Sequence, residues 1–462
     1  MSLWTLVEHY GEAESRAGEA FLNFGNGVEN KHWCGFPLIF ARLGRIARQC
    51  AAAESRNRAF PISCKIEISF YNARIMRTRL VTRLQRARLR QFPAVALLGS
   101  RQCGKTTLAR ALGGRYYDAE QPAERLRLDL DWQALAAGGE LVVIDEAQTW
   151  PALFPRLRGA IDAQRRRNGR FLLLGSVSPG PTHEVAESLA GRIARIELTP
   201  FLLPELGAKS LARLWLDGGY PDGGVLRAGG FPVWQRDYFA SMAQRDLPAW
   251  GLPARPQITE RLLHMLAALH GQLWNASTLG QSLGLSYHTI NNYLDHLEGA
   301  YLVRRLAPWS GKLLKRLTKS PKVYVRDSGL LHALLGVNSR TELLRHPGAG
   351  ASWEGFAIEQ ILSTLAANDV DAQAHLLRTS DGYEIDLLLA IGAATVALEM
   401  KLSASASSQD LARLERAADL VKAGHRYIVC QTASPAADAT RGVLTLEAAI
   451  ERLLRLGKRR MG

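Results

Sequence analysis

The sequence predicts an α/β protein made of a parallel-sheet domain, a helical middle region and a C-terminal α/β domain. Short apolar runs alternate with helical patterns from residue 92 to about 205, as buried parallel strands and their crossover helices do. Mixed strand and helix patterns return from residue 346 to 435. At 462 residues the chain also exceeds what one hydrophobic core usually organises.

Taken in order, residues 1–75 show no sustained period and contain Cys34, Cys50 and Cys64. Two readings stay open for them: a disordered extension from a misassigned start, or a small accessory domain. At Met76 the character changes. The run MRTRLVTRLQRARLR alternates arginines with Leu80, Val81, Leu84 and Leu89, the spacing of a basic amphipathic helix. The strand runs AVALLG, GRYYDA, ELVVIDE, RFLLLGS and ARIEL follow. Residues 206–262 read as mainly helical, 263–345 as a helix-turn-helix region with a connector, and 346–462 as the last α/β domain. The first domain spans 76–205.

A net charge of +15 favours polyanionic partners, nucleic acid first. Arginine-rich usage without any such partner is the rival explanation. The five cysteines are scattered, with no metal spacing, which points to a reducing compartment. No window approaches about 18 uninterrupted apolar residues. Glu8, Glu12 and Glu14 stand where a signal peptide would be apolar. A cytoplasmic protein with no membrane partner is therefore expected.

The segment AVALLGSRQCGKTTLARAL reads strand, loop, helix, and its loop has the spacing G-x-x-x-x-G-K-T. Glycines let successive amide N–H groups face one anion, and the helix starting near Lys105 adds the positive end of its dipole. The nucleotide-binding stretch is thus Gly99, Ser100, Arg101, Gln102, Cys103, Gly104, Lys105, Thr106 and Thr107. Lys105 is placed for the β- and γ-phosphates, and the Thr106 hydroxyl for magnesium. ATP and Mg2+ are the implied ligands. Forty residues after Lys105, Asp145 ends an apolar strand, where a carboxylate can hold the metal's water shell. Glu146 follows it and can activate the attacking water. The next strand ends in Ser176 and Ser178, positions that could sense the γ-phosphate. Arg192 and Arg245 are candidates for a charge-stabilising arginine.

These motifs resemble those of a large bacterial and archaeal family of AAA-type P-loop ATPases. GSRQCGKTTLAR is similar to its loop motif, VVIDEAQ to its acidic motif, and LLGS with SLAGR to its sensor region. The resemblance extends over residues 76–455, with GGFP and PKVYVRDSGLL as family markers of no settled role. It implies an AAA-type parallel-sheet domain, ATP as ligand and ATP hydrolysis as activity.

In STLGQSLGLSYHTINNYLDHLEGAYLVRRL, two helix patterns flank a turn at Gly284, and Ser286 is placed as the second N-cap. Leu279, Leu283, Ile290, Leu294 and Leu297 form the apolar face, and LVRRLAPWSG could supply a wing. Tyr287, His288, Asn291 and Asn292 would meet base edges if this were a DNA reader. Otherwise the region is a winged-helix packing module.

Near the C-terminus, YEIDLLL and TVALEMKL read as a hairpin turning at Gly392. Asp386 lies on the first strand. Glu399 and Lys401, two apart on the second, share a face. With Glu354 on a helix beginning near Ser352, they form a candidate magnesium site for phosphodiester attack. The pattern resembles the PD-(D/E)XK nucleases, including Holliday-junction resolvases, with Ile385-Asp386 in place of the usual Pro-Asp. That resemblance implies a restriction-endonuclease-like fold, active or inert. The expected function is an ATPase with a nucleic-acid-linked role. The alternative is an ATP-dependent switch that binds a protein partner through an inert nuclease-like domain. An arginine supplied from another subunit would require an oligomer.

Overall fold

The computed structural model describes residues 77–177, 189–226, 229–252, 255–310 and 318–458. The described elements lie in one compact unit, Thr78–Gly462. The readings for residues 1–75 and for Ser178 lie outside the described residues.

Helix α1 (Val81–Gln91) is the basic amphipathic helix of the sequence, with Val81 buried and Leu80, Leu84 and Leu89 packed on the core. Five strands follow, each where the apolar runs placed it: β1 (Ala94–Leu98), β2 (Arg115–Asp118), β3 (Val142–Asp145), β4 (Phe171–Gly175) and β5 (Ile193–Glu197). Helices α2 (Lys105–Arg110), α3 (Pro122–Ala137) and α4 (Leu153–Ala163) lie between them in sequence. The strands form one sheet in the order β2-β3-β4-β1-β5, and every pair is parallel. Because the strands run the same way, their carboxyl ends share one edge. β4 lies between β1 and β3, so the loop after β1, Asp145 and Ser176 meet there. This is where open α/β sheets bind ligands.

Side chains alternate between the two faces of this sheet. Ala94, Ile144, Phe171 and Leu173 pack with Leu128, Leu135, Leu157 and Ile161 of α3 and α4. Val95, Leu97, Leu172 and Leu174 face the other way and share a core with the middle region, including Tyr238, Met242, Leu262 and Leu294.

The middle region is helical: α5 (Leu211–Asp217), α6 (Val233–Ser241), α7 (Pro256–Ala268), α8 (Ala276–Leu283) and α9 (Tyr287–Gly299). The α8–α9 turn follows the sequence chemistry. Gly284 caps α8 in the left-handed region at φ 69°, and the Ser286 hydroxyl accepts from Thr289 N at α9's start. Leu279, Ile290, Leu294 and Leu297 are buried. Strands β6 (Val303–Leu306) and β7 (Lys322–Val325) pair antiparallel. Helices α10 (Ser328–Leu334) and α11 (Arg340–Arg345) lead to α12 (Ala349–Ala367), which contains Glu354.

The C-terminal sheet is mixed. It comprises β8 (Ala372–Arg378), β9 (Glu384–Ile391), β10 (Ala394–Met400), β11 (His425–Val429), β12 (Ala436–Ala437) and β13 (Arg441–Leu444), in the order β12-β13-β11-β10-β9-β8. β9 and β10 are the expected hairpin, with Ala394 opposite Ile391 and Gly392 at φ 60°. Helix α13 (Ser408–Leu420) connects β10 to the parallel β11, and α14 (Leu446–Lys458) ends the described chain. Trp353, Phe356 and Ile361 of α12 fill this domain's core together with Phe201 and Trp215. No described helix is long and apolar enough to cross a membrane.

Candidate functional site

The loop between β1 and α2 turns tightly. A Cβ on Gly99 would sit 2.1 Å from the carbonyl oxygen of Leu198, so only glycine lets β1 pass that close to the residue after β5. Gln102 and Gly104 adopt φ of 61° and 105°. Left-handed residues alternating with right-handed ones turn consecutive N–H groups toward a common point, the geometry of an anion nest. α2 begins immediately after, at Lys105.

A continuous hydrogen-bonded chain joins the residues that the sequence singled out. Lys105, buried, donates from Nζ to Gly99 O and Ser100 O at 2.9 Å each and to Ser176 Oγ at 3.1 Å. Ser176 Oγ donates to Glu146 Oε1 at 2.6 Å. The Glu146 backbone N–H reaches Asp145 Oδ1 at 3.0 Å, and Thr106 Oγ1 donates to Asp145 Oδ2 at 2.7 Å. Tyr116 donates its hydroxyl to that same oxygen at 2.7 Å, and burial together with the Asp145 carboxylate raises its pKa. Glu146 sits at φ 47°, a strained conformation for a non-glycine residue that aims its carboxyl back at Ser176.

This donor set suits a magnesium–triphosphate ligand. The Lys105 ammonium bonds carbonyls of its own loop, neutral acceptors that phosphate oxygens would outcompete. A hydroxyl and a carboxylate in contact, Thr106 and Asp145, are the hard oxygen donors that Mg2+ takes. The remaining loop side chains serve otherwise. Cys103, a free and buried thiol, donates to Leu198 O at 3.2 Å, and Arg101 pairs with the buried Asp246. Gln102 and Thr107 are exposed.

The two arginine candidates separate. Arg192 forms a two-pronged pair with Asp162 of α4, at 2.8 and 2.9 Å. Arg245 donates to Asp246 at 3.0 Å, so one carboxylate holds both it and the loop's Arg101. Arg245 therefore stands beside the loop, whereas Arg192 is committed to a helix on the sheet's other side chain layer.

At the C-terminal cluster, Asp386 and Glu399 lie close enough to Glu354 for each to feel its charge. Burial, then Glu354 and Glu399, raises the Asp386 pKa. Burial pushes Glu399 up to about 7, with Lys401 opposing and Glu354 and Glu384 adding to the rise. The centre is held by a residue that the sequence reading did not select. Lys322 of β7, only 5% exposed, places its ammonium 2.8 Å from Glu354, 3.0 Å from Glu384 and 3.6 Å from Asp386. Burial works against its charge, but the carboxylates of Glu354, Asp386 and Glu384 outweigh that and raise its pKa. Tyr324 adds a 2.6 Å hydrogen bond to Glu354, and Asp386 also accepts from Met400 N at 2.9 Å. Lys401 bonds Asp410 of α13 at 2.9 Å. Among the described residues, no group of three His, Cys, Asp or Glu is arranged to hold a metal ion.

On α9, Tyr287, His288 and Asn292 are exposed, while the Asn291 side chain accepts from Trp274 Nε1 at 2.9 Å. Asn292 and His296 border a cleft whose walls mix Asp295, Glu298 and Glu197 with Arg304, Arg305 and Arg326.

Residues 91–207 match the AAA domain family, 208–341 a domain of unknown function (DUF8612) and 349–448 another (DUF4143). Two mycobacterial proteins, Uncharacterized protein Rv2008c of Mycobacterium tuberculosis and Uncharacterized protein Mb2031c of Mycobacterium bovis, are each 39% identical over 359 residues. The alignment covers 76% of this chain and 80% of each relative. The chain belongs to their family, and it carries an AAA domain. The crystal structure of protein VC1899 from Vibrio cholerae is similar at 11% identity over 79% of this chain and 97% of that one, but at a TM-score of 0.19 the likeness carries no weight.

The AAA domain of this family member contains the whole Lys105–Ser176–Glu146–Asp145–Thr106 chain. Three groups near the two clusters are not set apart by the sequence: the buried Arg79 and Lys322, and the half-buried Glu384. Arg79 is one of six arginines in the run from Met76 to Arg90, and nothing in the spacing sets it apart. Lys322 and Glu384 each open a strand in a segment with an already recognised pattern, and only their meeting across 62 residues reveals them.

Proposed function

We propose that the protein is a magnesium-dependent ATPase whose nucleotide state acts on a partner through the middle and C-terminal regions. The observation that carries this reading is the hydrogen-bonded chain from Lys105 through Ser176 and Glu146 to Asp145 and Thr106. Loop N–H groups and Lys105 would bind the β- and γ-phosphates of ATP. Thr106 and Asp145 would hold Mg2+, which neutralises charge developing on the phosphates. Glu146 would take the proton of the attacking water, and Ser176, bonded to both Lys105 and Glu146, would keep the two aligned. Arg245 is the better placed of the two charge-stabilising candidates, because Asp246 holds it beside Arg101. The test is ATP binding and turnover of the full chain against Lys105→Ala. Equal affinity and turnover in the two proteins would overturn the reading.

For the C-terminal domain, an inert nuclease-like fold that contacts a protein partner fits better than an active nuclease. Lys322 supplies the positive charge where a divalent ion would otherwise sit, and it fills the space among Glu354, Glu384 and Asp386. The nuclease reading keeps one observation in its favour, the convergence of Glu354, Asp386 and Glu399. Manganese-dependent cutting of branched or linear DNA that disappears in Asp386→Ala would restore it. We likewise read residues 263–345 as a winged-helix-like packing module. One polar residue of α9 is spent on Trp274, and in the cleft beside Asn292 the arginines Arg305 and Arg326 are already paired with Asp295, Glu298 and Glu197, which leaves them less free to neutralise a phosphate backbone. Free, buried Cys103 and Cys430 suit a reducing, cytoplasmic setting.

A further inference from the structure

We infer that Arg79 is a positioning residue of the phosphate loop, acting from behind it to turn the Cys103–Gly104 peptide toward the anion site. The inference rests on the ATP-binding reading and adds a residue to it from outside the loop motif.

Arg79 lies just before α1 and is 7% exposed. Its guanidinium makes a fan of contacts on the back of the loop. Nη1 donates to Cys103 O at 3.0 Å, in a buried contact. Nη2 donates to Thr199 O at 2.6 Å and to Pro200 O at 3.3 Å, the stretch that follows β5. Nε donates to Glu205 Oε1 at 3.0 Å. The planar group also lies 4.4 Å over the Phe201 ring. A single point charge could not make these contacts, since they need the rigid fork of a guanidinium.

Glu205 holds the fork in place. Its Oε1 also accepts from Leu80 N at 2.8 Å, and its Oε2 from Leu202 N at 2.8 Å. The pair is buried, with Glu205 only 2% exposed at its side chain. Buried ion pairs commonly contribute little net stability compared with an apolar filling, so the pair calls for another role.

That role follows from peptide geometry. A trans peptide places its C=O and the next N–H on opposite sides of the chain. Arg79 draws the Cys103 oxygen to the rear, so the Gly104 N–H is turned to the front, where the nest opens. An added Cβ on Gly104 would lie in ordinary contact with Arg79 Nη1, at 3.5 Å, so it is the backbone φ of 105° rather than crowding that calls for glycine there. One N–H of the nest is thereby oriented before any phosphate arrives, and the guanidinium adds positive potential beneath it. Cys103 contributes a second anchor, since its thiol bonds Leu198 O on the same wall that Arg79 grips through Thr199 O.

The experiment is calorimetry of the full chain with ATP and Mg2+, using wild type, Arg79→Lys, Arg79→Gln, Glu205→Gln and Lys105→Ala, with folding checked by circular dichroism. Losing the oriented N–H should weaken ATP binding about tenfold in Arg79→Lys while leaving the stoichiometry near one site per chain. Glu205→Gln should show a smaller loss of the same kind, and it keeps the proposal testable should the Arg79 variants fail to fold. A purely structural role gives the opposite signature: a reduced number of sites with unchanged affinity in the folded fraction. That result, or affinity within twofold of wild type in folded Arg79→Lys and Glu205→Gln, would overturn the inference. Wild type that binds no ATP would defeat the ATP-binding reading itself. Loss of binding in Lys105→Ala alone would keep that reading and reject Arg79.

Discussion

Replacing Lys322 by methionine should destabilise the protein strongly at high pH and much less at low pH. Methionine has a similar length and keeps the packing of the stem, so the change removes mainly the ammonium. That ammonium is 5% exposed and lies within 3.6 Å of Glu354, Glu384 and Asp386. Removing one partner of a buried ion pair costs about 3–5 kcal/mol, because the remaining charge stays buried and uncompensated. Here protons can replace the lost charge. Asp386 already titrates above its ordinary range and Glu399 near 7, and loss of Lys322 pushes both further up. A carboxyl whose folded pKa exceeds its unfolded value holds more protons in the folded state between the two values. Its destabilising effect is therefore absent below the unfolded pKa and grows as pH rises through the folded one. The expected loss is about 3–5 kcal/mol near pH 8 and smaller by about 1–3 kcal/mol near pH 5. Such losses are readable against a typical total of about 5–15 kcal/mol. Urea unfolding of wild type and Lys322→Met, followed by circular dichroism at both pH values and one ionic strength, measures them. A loss under about 1 kcal/mol at pH 8, or an equal loss at both pH values, would show that Lys322 is not the counter-ion of this cluster.

Other expectations follow from the same geometry. Glu146→Gln should lower kcat by about a hundredfold or more with ATP affinity within about threefold, since Glu146 acts on water rather than on ATP; turnover equal to wild type rejects the role. Gly99→Ala places a Cβ 2.1 Å from Leu198 O, so the backbone must shift. ATP affinity should fall at least about tenfold, with a stability loss of about 1–3 kcal/mol; calorimetry and urea unfolding would expose a neutral substitution. Glu399→Gln should stabilise the protein above pH 7. The displacement of the Glu399 pKa from 4.5 to about 7 corresponds to at most about 3 kcal/mol, and the gain should vanish below about pH 4.5. A melting-temperature difference that is flat across this range counts against the buried, raised carboxyl.

The phosphate loop was legible because its chemistry is local. Gly99, Gly104, Lys105 and Thr106 lie within nine residues, and a strand and a helix must flank them for the backbone to cradle an anion. The five parallel strands were legible for a related reason. A strand covered on both faces has to be apolar at nearly every position, as AVALL and FLLLG are. The turn at Gly284 and the hairpin at Gly392 were visible through left-handed backbone that glycine alone accepts freely. What the chain order does not contain is which strand lies beside which. The order β2-β3-β4-β1-β5 brings Ser176 between Lys105 and Glu146 and so makes a site of separate motifs.

Tertiary structure alone decided the fate of the charges. Arg79 looks like any other arginine of a basic helix until the fold seals it against Cys103, Thr199 and Glu205. Arg192 looks as available as Arg245 until Asp162 takes it and Asp246 holds its rival beside the loop. Lys401 has the spacing to share a face with Glu399, yet it is Lys322, 64 residues before Asp386, that occupies the middle of the carboxylates. The physical reason is the same in each case. Local sequence dictates backbone conformation through sterics and hydrogen bonds within a few residues. The energy of a charge depends on burial and on partners that arrive from anywhere in the chain.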